Sequence, residues 1–159
     1  YPATAAGFAL MPITIIMFLL SSRFGALSGK FGPRLFMALG PIVAGIGFFT
    51  MLAVDQSVSF WALLPGILLF GLGLSITVAP LTSAILGSIS DHQAGIGSAA
   101  NNAVARIAGL IAIAFIGTVT GSALDLEGFH RSVILIAILL IVGGIISAIG
   151  IQNPKLKRS

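Results

Sequence analysis

The side chains that could do chemistry in this chain of 159 residues stand mostly outside its long apolar segments. All the acids and histidines fall in short polar connections: Asp55, Asp91, Asp125, Glu127, His92 and His130. Cysteine is absent, which excludes disulfides, thiolate metal sites and cysteine nucleophiles. No His/Asp/Glu cluster has metal-ligand spacing, and no glycine-rich loop follows a strand, so we predict neither a metal nor a cofactor.

Ser28 is the one residue whose neighbours suggest a nucleophile. The sequence Ala26-Leu27-Ser28-Gly29 is faintly similar to the Gly-x-Ser-Gly of rhomboid proteases, but Ala26 replaces the first glycine. Neither histidine lies in an apolar segment, where it could activate the hydroxyl. We therefore predict that the chain is not an enzyme and keep an intramembrane enzyme as the least favoured alternative.

The fourth apolar segment carries an arginine and asparagines. Asn102 and Arg106 lie one helical turn apart, on a stripe of mostly small residues that runs from Gly95 to Gly117. Lipid exposure of an arginine is costly, so Arg106 is expected to face protein, water or the cytoplasmic interface. Two interpretations stay open: Arg106 reaches headgroups or a structural carbonyl, or it lines a transport cavity with Asn102.

Composition defines the elements that position these residues. The chain is 57% hydrophobic and 8% charged, against roughly 25% charged residues in soluble domains. Charged residues divide it into five segments long enough to cross a bilayer as helices. The segments are Ala3–Leu20, Leu35–Val54, Phe60–Leu86, Ile96–Thr120 and Ser132–Ile151. We predict an all-α fold, a polytopic membrane helical bundle that forms one transmembrane domain over residues 1–159.

The basic residues predict an orientation. Arg23, Lys30 and Arg34 lie in the first connection and Lys155, Lys157 and Arg158 in the tail, against Arg131 on the other side. By the positive-inside rule the N-terminus of the segment lies outside, and the loops at 21–34 and 87–95 and the C-terminus lie in the cytoplasm. Asp91 is then expected to pair with Lys30 or Arg34. The scattered basic residues do not form a nucleic-acid-binding face.

The first cytoplasmic connection carries a spaced motif. Gly25-x-Leu27-x-x-Lys30-x-Gly32-x-Arg34 resembles the G-x-L-x-D-R-x-G-R-R-like loop signature of the major facilitator superfamily. Gly29 stands where that signature usually carries the aspartate of a gating charge network. A plain, positively charged turn is the alternative for this loop taken alone.

The resemblance extends along the chain, through Gly71-Leu72-Gly73, Pro80-Leu81-Thr82 and the run Ala94-Gly95-Ile96-Gly97-Ser98-Ala99-Ala100-Asn101-Asn102. Together these are similar to the C-terminal part of the drug/proton antiporter branch with fourteen helices. The resemblance implies two halves that move against each other around a central site. On that map the chain supplies the last five helices, and the N-terminal half is missing.

The resemblance therefore implies a fragment of a proton-coupled multidrug efflux antiporter in the cell inner membrane. Its expected partners are a small amphiphilic substrate, a proton, the lipid bilayer and the missing N-terminal half. The candidate cavity-lining residues are Asn101, Asn102, Arg106, Thr77 and Thr82. The alternative from another class is a small structural or pore-forming membrane protein complete at this length.

Overall fold

The computed structural model describes residues 3–53, 60–120 and 126–153, with side chains from residue 11 onward except at 60, 91, 119, 120 and 126. The helices are α1 (Ala3–Phe31), α2 (Pro33–Thr50), α3 (Phe60–Gly87), α4 (Ala94–Thr120) and α5 (Leu126–Gly150). Short 3-10 turns, Met51–Ala53 and Asp91–Gln93, follow α2 and precede α4. Within the described ranges, five helices are long and apolar enough to cross a membrane. The prediction of an all-α polytopic bundle is confirmed.

The predicted loop at 21–34 is wrong, because α1 continues through most of it. Gly25, Leu27 and Lys30 are helical, and the helix ends only one residue before Gly32. Leucine and lysine are good helix formers, so a basic, polar composition does not by itself end a helix. The chain breaks where Pro33 follows, since proline disfavours a helical conformation in the residue before it.

Helix α5 begins six residues earlier than the predicted Ser132. Its extra turns carry Glu127 in the first turn, where a negative charge interacts favourably with the helix dipole. Glu127 also forms an exposed ion pair with Arg131 one turn later. The first turns of α5 therefore tolerate both charges, and these residues belong to the helix and not to the connection before it.

Helix α2 packs between α3 and α5, and glycines allow the close approach on both sides. On the α3 side, a Cβ added at Gly40 would meet the Thr77 hydroxyl and would lie 2.8 Å from the Gly73 carbonyl oxygen. On the α5 side, a Cβ added at Gly144 would lie 2.7 Å from the carbonyl oxygen of Ala38. Small residues of this kind let helix backbones pack where lipid supplies no hydrophobic driving force.

Helix α1 packs on α3 and completes a group of four helices. A Cβ added at Gly71 would lie 3.1 Å from the Cα of Ile13, and one at Gly25 would lie 3.7 Å from the Cβ of Ala79. The contact between Gly25 and Ala79 packs the C-terminal part of α1 against the C-terminal part of α3. The sequence motif is thereby placed beside three other helix ends.

Helix α4 stands apart from this group, with only small contacts to α5 and α3. Its small-residue stripe is not packed against a neighbouring helix within the described part of the chain. Gly95, Gly109 and Gly117 have no neighbouring atom within 4 Å of an added Cβ. The stripe is exposed along its length, and Arg106 is exposed with it.

Apolar side chains point outward as well as inward. A small core contains Met51, Ile67 and Val133. Much larger apolar side chains cover the outside of the helices, such as Phe18, which is 84% exposed, and Trp61, which is 73% exposed. This distribution suits a lipid solvent, because in water an exposed apolar surface of this extent is rare.

We expect Gly144→Ala to destabilise the fold while the neighbouring Gly143→Ala does not. The added methyl at residue 144 meets the Ala38 carbonyl oxygen, whereas the one at 143 meets no atom within 4 Å. Overpacking of this kind costs about 1–3 kcal/mol, and alanine at an open helical position gains up to about 1 kcal/mol. Thermal unfolding of the intact protein in detergent measures both. Equal midpoints for the two variants would contradict the packing of α2 against α5.

Candidate functional site

The motif residues meet at one end of the bundle, where α1 ends and α2 begins. Gly32 is the link between the two helices and has φ of 87°, a left-handed conformation that favours glycine. Its amide donates to the Ser28 carbonyl oxygen at 2.8 Å. A Cβ at this position would also collide with the side chain of Asn153. Both the backbone angle and the contact therefore require a glycine here.

Arg34 and Asn153 tie the start of α2 to the end of α5. The Arg34 amide donates to Asn153 Oδ1 at 3.2 Å, and the Arg34 Nε donates to the carbonyl oxygen of Ala148 at 2.6 Å. Gly32, at the N-cap of α2, has no side chain to make a cap. Asn153 supplies that cap from 119 residues away, and the Arg34 cation satisfies a carbonyl in the last turn of α5.

A cavity of about 690 Å³ opens beside this tie, and we call it the end cavity. It is bounded by the end of α1, the start of α2, the end of α3 and the residues that follow α5. Its lining residues are Ser28, Gly29, Lys30, Phe31, Gly32, Pro33, Ser83, Ala84, Gly87, Ser88, Ile151, Gln152 and Asn153. Arg34 borders a smaller neighbouring hollow that shares Asn153.

The five motif residues thus take different places. Gly25 packs against Ala79 of α3, and Leu27 lies outward with 41% of its surface exposed. Lys30 and Gly32 line the end cavity, and Arg34 lies beside it. The predicted pairing of Asp91 with Lys30 or Arg34 involves a side chain outside the described part of the structure and stays a prediction.

The five candidate cavity-lining residues lie on two helices, three on α4 and two on α3. Asn101 is half-buried on α4, while the side chains of Asn102 and Arg106 are exposed and make no hydrogen bond or ion pair among the described residues. The Thr77 hydroxyl donates to the Gly73 carbonyl oxygen at 2.7 Å and lies between α2 and α3. Thr82, on an exposed part of α3, donates to the Val78 carbonyl oxygen at 3.0 Å.

Sequence reasoning missed the polar residues that complete the end cavity. Ser28 is 3% exposed, and its hydroxyl donates to the Gly25 carbonyl oxygen at 2.9 Å. Ser83 lies near the end of α3, Ser88 directly follows α3, and Asn153 follows α5. Gly32 has no side chain that could cap α2, which indicates that an acceptor must come from elsewhere in the chain. The residue spacing does not identify Asn153 as that acceptor. The described side chains include no group of three His, Asp or Glu that could hold a metal.

Comparison with curated proteins gives relatives along most of the chain. The methylenomycin A resistance protein of Streptomyces coelicolor is 23% identical over 151 residues. An uncharacterized MFS-type transporter, YhcA of Bacillus subtilis, is 28% identical over 121 residues. The probable actinorhodin transporter of Streptomyces coelicolor is 28% identical over 123 residues. The chain resembles transporters of the major facilitator superfamily.

These matches take in 94%, 75% and 74% of the chain, which confirms the resemblance that the motif suggested. The chain spans only 32%, 22% and 21% of the lengths of these relatives. No family model and no solved structure matches the chain. Five apolar helices together with transporter relatives support a multi-pass membrane protein that is similar to major facilitator transporters.

We expect Asn153→Ala to lower the free energy of unfolding by about 1 kcal/mol, because it removes the cap on α2. Asn153→Asp keeps an acceptor and adds a negative charge near a helix N-terminus, so it should retain stability. Gln152→Ala, at the neighbouring exposed residue, is the control and should have little effect. Denaturant unfolding of the intact protein measures the three. Equal stability of the Asn153→Ala and Gln152→Ala variants would rule out the cap.

Proposed function

We propose that this chain is part of the C-terminal half of a proton-coupled efflux transporter that exports small amphiphilic molecules by alternating access. The names of the relatives support export of small molecules: one is a resistance protein and one a probable transporter of actinorhodin. Helical architecture and the loop motif are in keeping with the same proposal. The substrate of this protein is proposed only as a class.

The observation that carries the proposal is the position of Arg106. It lies 12 residues into a helix of 27 whose membrane-length window has no buried residue, so the other four helices leave it uncovered. At 1.5 Å per residue this is about 18 Å from the helix start, near the middle of the span. A permanently charged guanidinium at that depth, with no partner among the described residues, is too costly to leave in lipid. In the intact protein this face must meet protein or water.

A second half of the transporter provides both a protein surface and a water-filled path for Arg106. The segment covers at most 32% of its relatives' lengths, so we propose that an N-terminal half packs across the exposed stripe of α4. A water-filled path between the halves would then be lined by Asn101, Asn102 and Arg106. Thr82 is exposed on α3 and is available to the same path, whereas Thr77 already fills the contact with Gly40.

We propose that the end of the bundle with Lys30 lies in the cytoplasm and that the membrane is the cell membrane. Six of the eight basic residues in the sequence belong to the predicted first connection and to the tail that follows Asn153. The described acids and histidines lie only at helix ends or in connections. Proton carriers are therefore proposed for the N-terminal half, and the motif is proposed to hold α1, α2 and α5 as one block when the halves rock.

The experiment replaces Arg106 and measures export. In proteoliposomes of the intact protein with an imposed pH gradient, we expect transport of 8-anilinonaphthalene-1-sulfonate, an amphiphilic anion, that stops when nigericin collapses the gradient. Arg106→Gln should lower the transport rate at least tenfold, because the path loses the fixed positive charge that attracts the anion. Arg131→Gln is the matched control, since it breaks only an exposed ion pair worth about 0.5 kcal/mol.

Circular dichroism and the yield of folded protein separate loss of function from loss of fold. Transport by Arg106→Gln at the wild-type rate would remove Arg106 from the path. Transport that is unaffected by nigericin would remove the proton from the proposal.

A further inference from the structure

The end cavity has a charge and a shape that no step of transport uses. We propose that it binds the headgroup of an anionic phospholipid, with phosphatidylglycerol as the representative. The inference depends on the cavity alone and does not require that the protein exports anything.

The charge of the end cavity favours an anion. Among the described residues that line it, Lys30 is the only charged one and none is an acid. The Arg34 guanidinium lies in the adjoining hollow, across the shared Asn153. A lysine ammonium is a point charge that suits a phosphate oxygen.

Uncharged donors surround the ammonium. Ser83 and Ser88 line the wall formed by α3, and Gln152 and Asn153 line the wall formed after α5. The Oδ1 of Asn153 is occupied by the Arg34 amide, which leaves the side-chain NH₂ of Asn153 as a donor. Hydroxyl and amide donors around a cation are the groups that satisfy phosphodiester and glycerol oxygens.

The rim of the cavity is apolar, which distinguishes a lipid from free phosphate. Phe31 lines the cavity and is 66% exposed, and Leu35, which lines the adjoining hollow, is 52% exposed. A soluble phosphate ion gains nothing from these side chains, whereas the acyl chains of a lipid cover them. The volume of about 690 Å³ is also many times the roughly 30 Å³ that one water occupies, so it admits a whole headgroup.

The position of the cavity matches the depth of headgroups. Lys30 is in the last turn of α1, whose membrane-length segment is Met11–Phe31. The lining residues of α3 and α5 likewise lie at the ends of membrane-length helices. Basic pockets between the ends of membrane helices are places where anionic headgroups bind.

The test is a titration of the intact, detergent-solubilised protein with phosphatidylglycerol, followed by native mass spectrometry, with phosphatidylcholine as the zwitterionic comparison. We expect Lys30→Gln to raise the apparent Kd of the first phosphatidylglycerol about fivefold and Lys30→Arg to restore it. Arg23→Gln is the matched control, because Arg23 is an exposed cation of α1 that does not line the cavity. It should leave that Kd unchanged.

Three results would overturn the proposal. The first is an unchanged Kd for Lys30→Gln at normal folded yield. Another is an equal loss for Arg23→Gln, which would mean attraction to the charged surface in general. The last is displacement of the lipid by inorganic phosphate at equal concentration, which would assign the site to a soluble anion.

Discussion

Close approach of helix backbones at glycine is the constraint on which the arrangement of this chain depends. The three large interfaces, α2 with α3, α2 with α5 and α1 with α3, each contain a glycine whose added Cβ would meet the neighbouring helix within 4 Å. Examples are Gly71 against Ile13, Gly40 against Gly73 and Gly144 against Ala38. Lipid tails are as apolar as leucine side chains, so contact at short range replaces the hydrophobic effect as the reason to pack.

The site follows from this packing. Holding α2 against α3 and α5 places the ends of three helices around the last turn of α1, and the end cavity lies where they meet. Arg34 and Asn153 then tie α2 to α5 by satisfying one group at each helix end. Of the five motif residues, only Gly32 departs from helical geometry. The motif therefore forms contacts between helix ends and is not a loop.

Helix α4 shows the opposite case. Of its four glycines, only Gly97 has a neighbouring atom within 4 Å of an added Cβ, and Gly95, Gly109 and Gly117 have none. The Arg106 cation, which has no ion pair among the described residues, lies on this exposed helix near mid-span. A polar stripe on an apolar helix is stable in a membrane only if protein or water covers it. The exposed stripe of α4 is therefore the reason for proposing a second half.

Hydropathy predicted the number of spans well, because runs of apolar residues of membrane length leave little alternative to a helix. The predicted α3, Phe60–Leu86, differs from the structure by one residue. Helix ends were harder to predict. The prediction ended α1 about eleven residues too early, because charged residues and glycines do not terminate a helix that leucine, alanine and lysine favour.

Contacts between distant residues could not be predicted. Asn153 caps a helix that begins 120 positions earlier in the sequence, and composition does not distinguish the packed Gly144 from the open Gly143. The motif residues Lys30 and Gly32 were identified from spacing, but Ser83, Ser88 and Asn153 enter the site only through the fold.

Disulfide cross-linking tests the helix arrangement most directly, because this chain contains no cysteine of its own. The Cβ positions of Gly25 and Ala79 are 3.7 Å apart, within the usual 3.5–4.5 Å of disulfides. After mild oxidation of the intact protein, Gly25→Cys with Ala79→Cys should lose its reactivity toward a maleimide mass tag and regain it on reduction. Gly29→Cys with Ala79→Cys, one turn along α1, should keep both thiols, because Gly29 has no neighbouring atom within 4 Å. Equal protection of the two pairs, or protection of neither, would contradict the packing of α1 on α3 and the end cavity built on it.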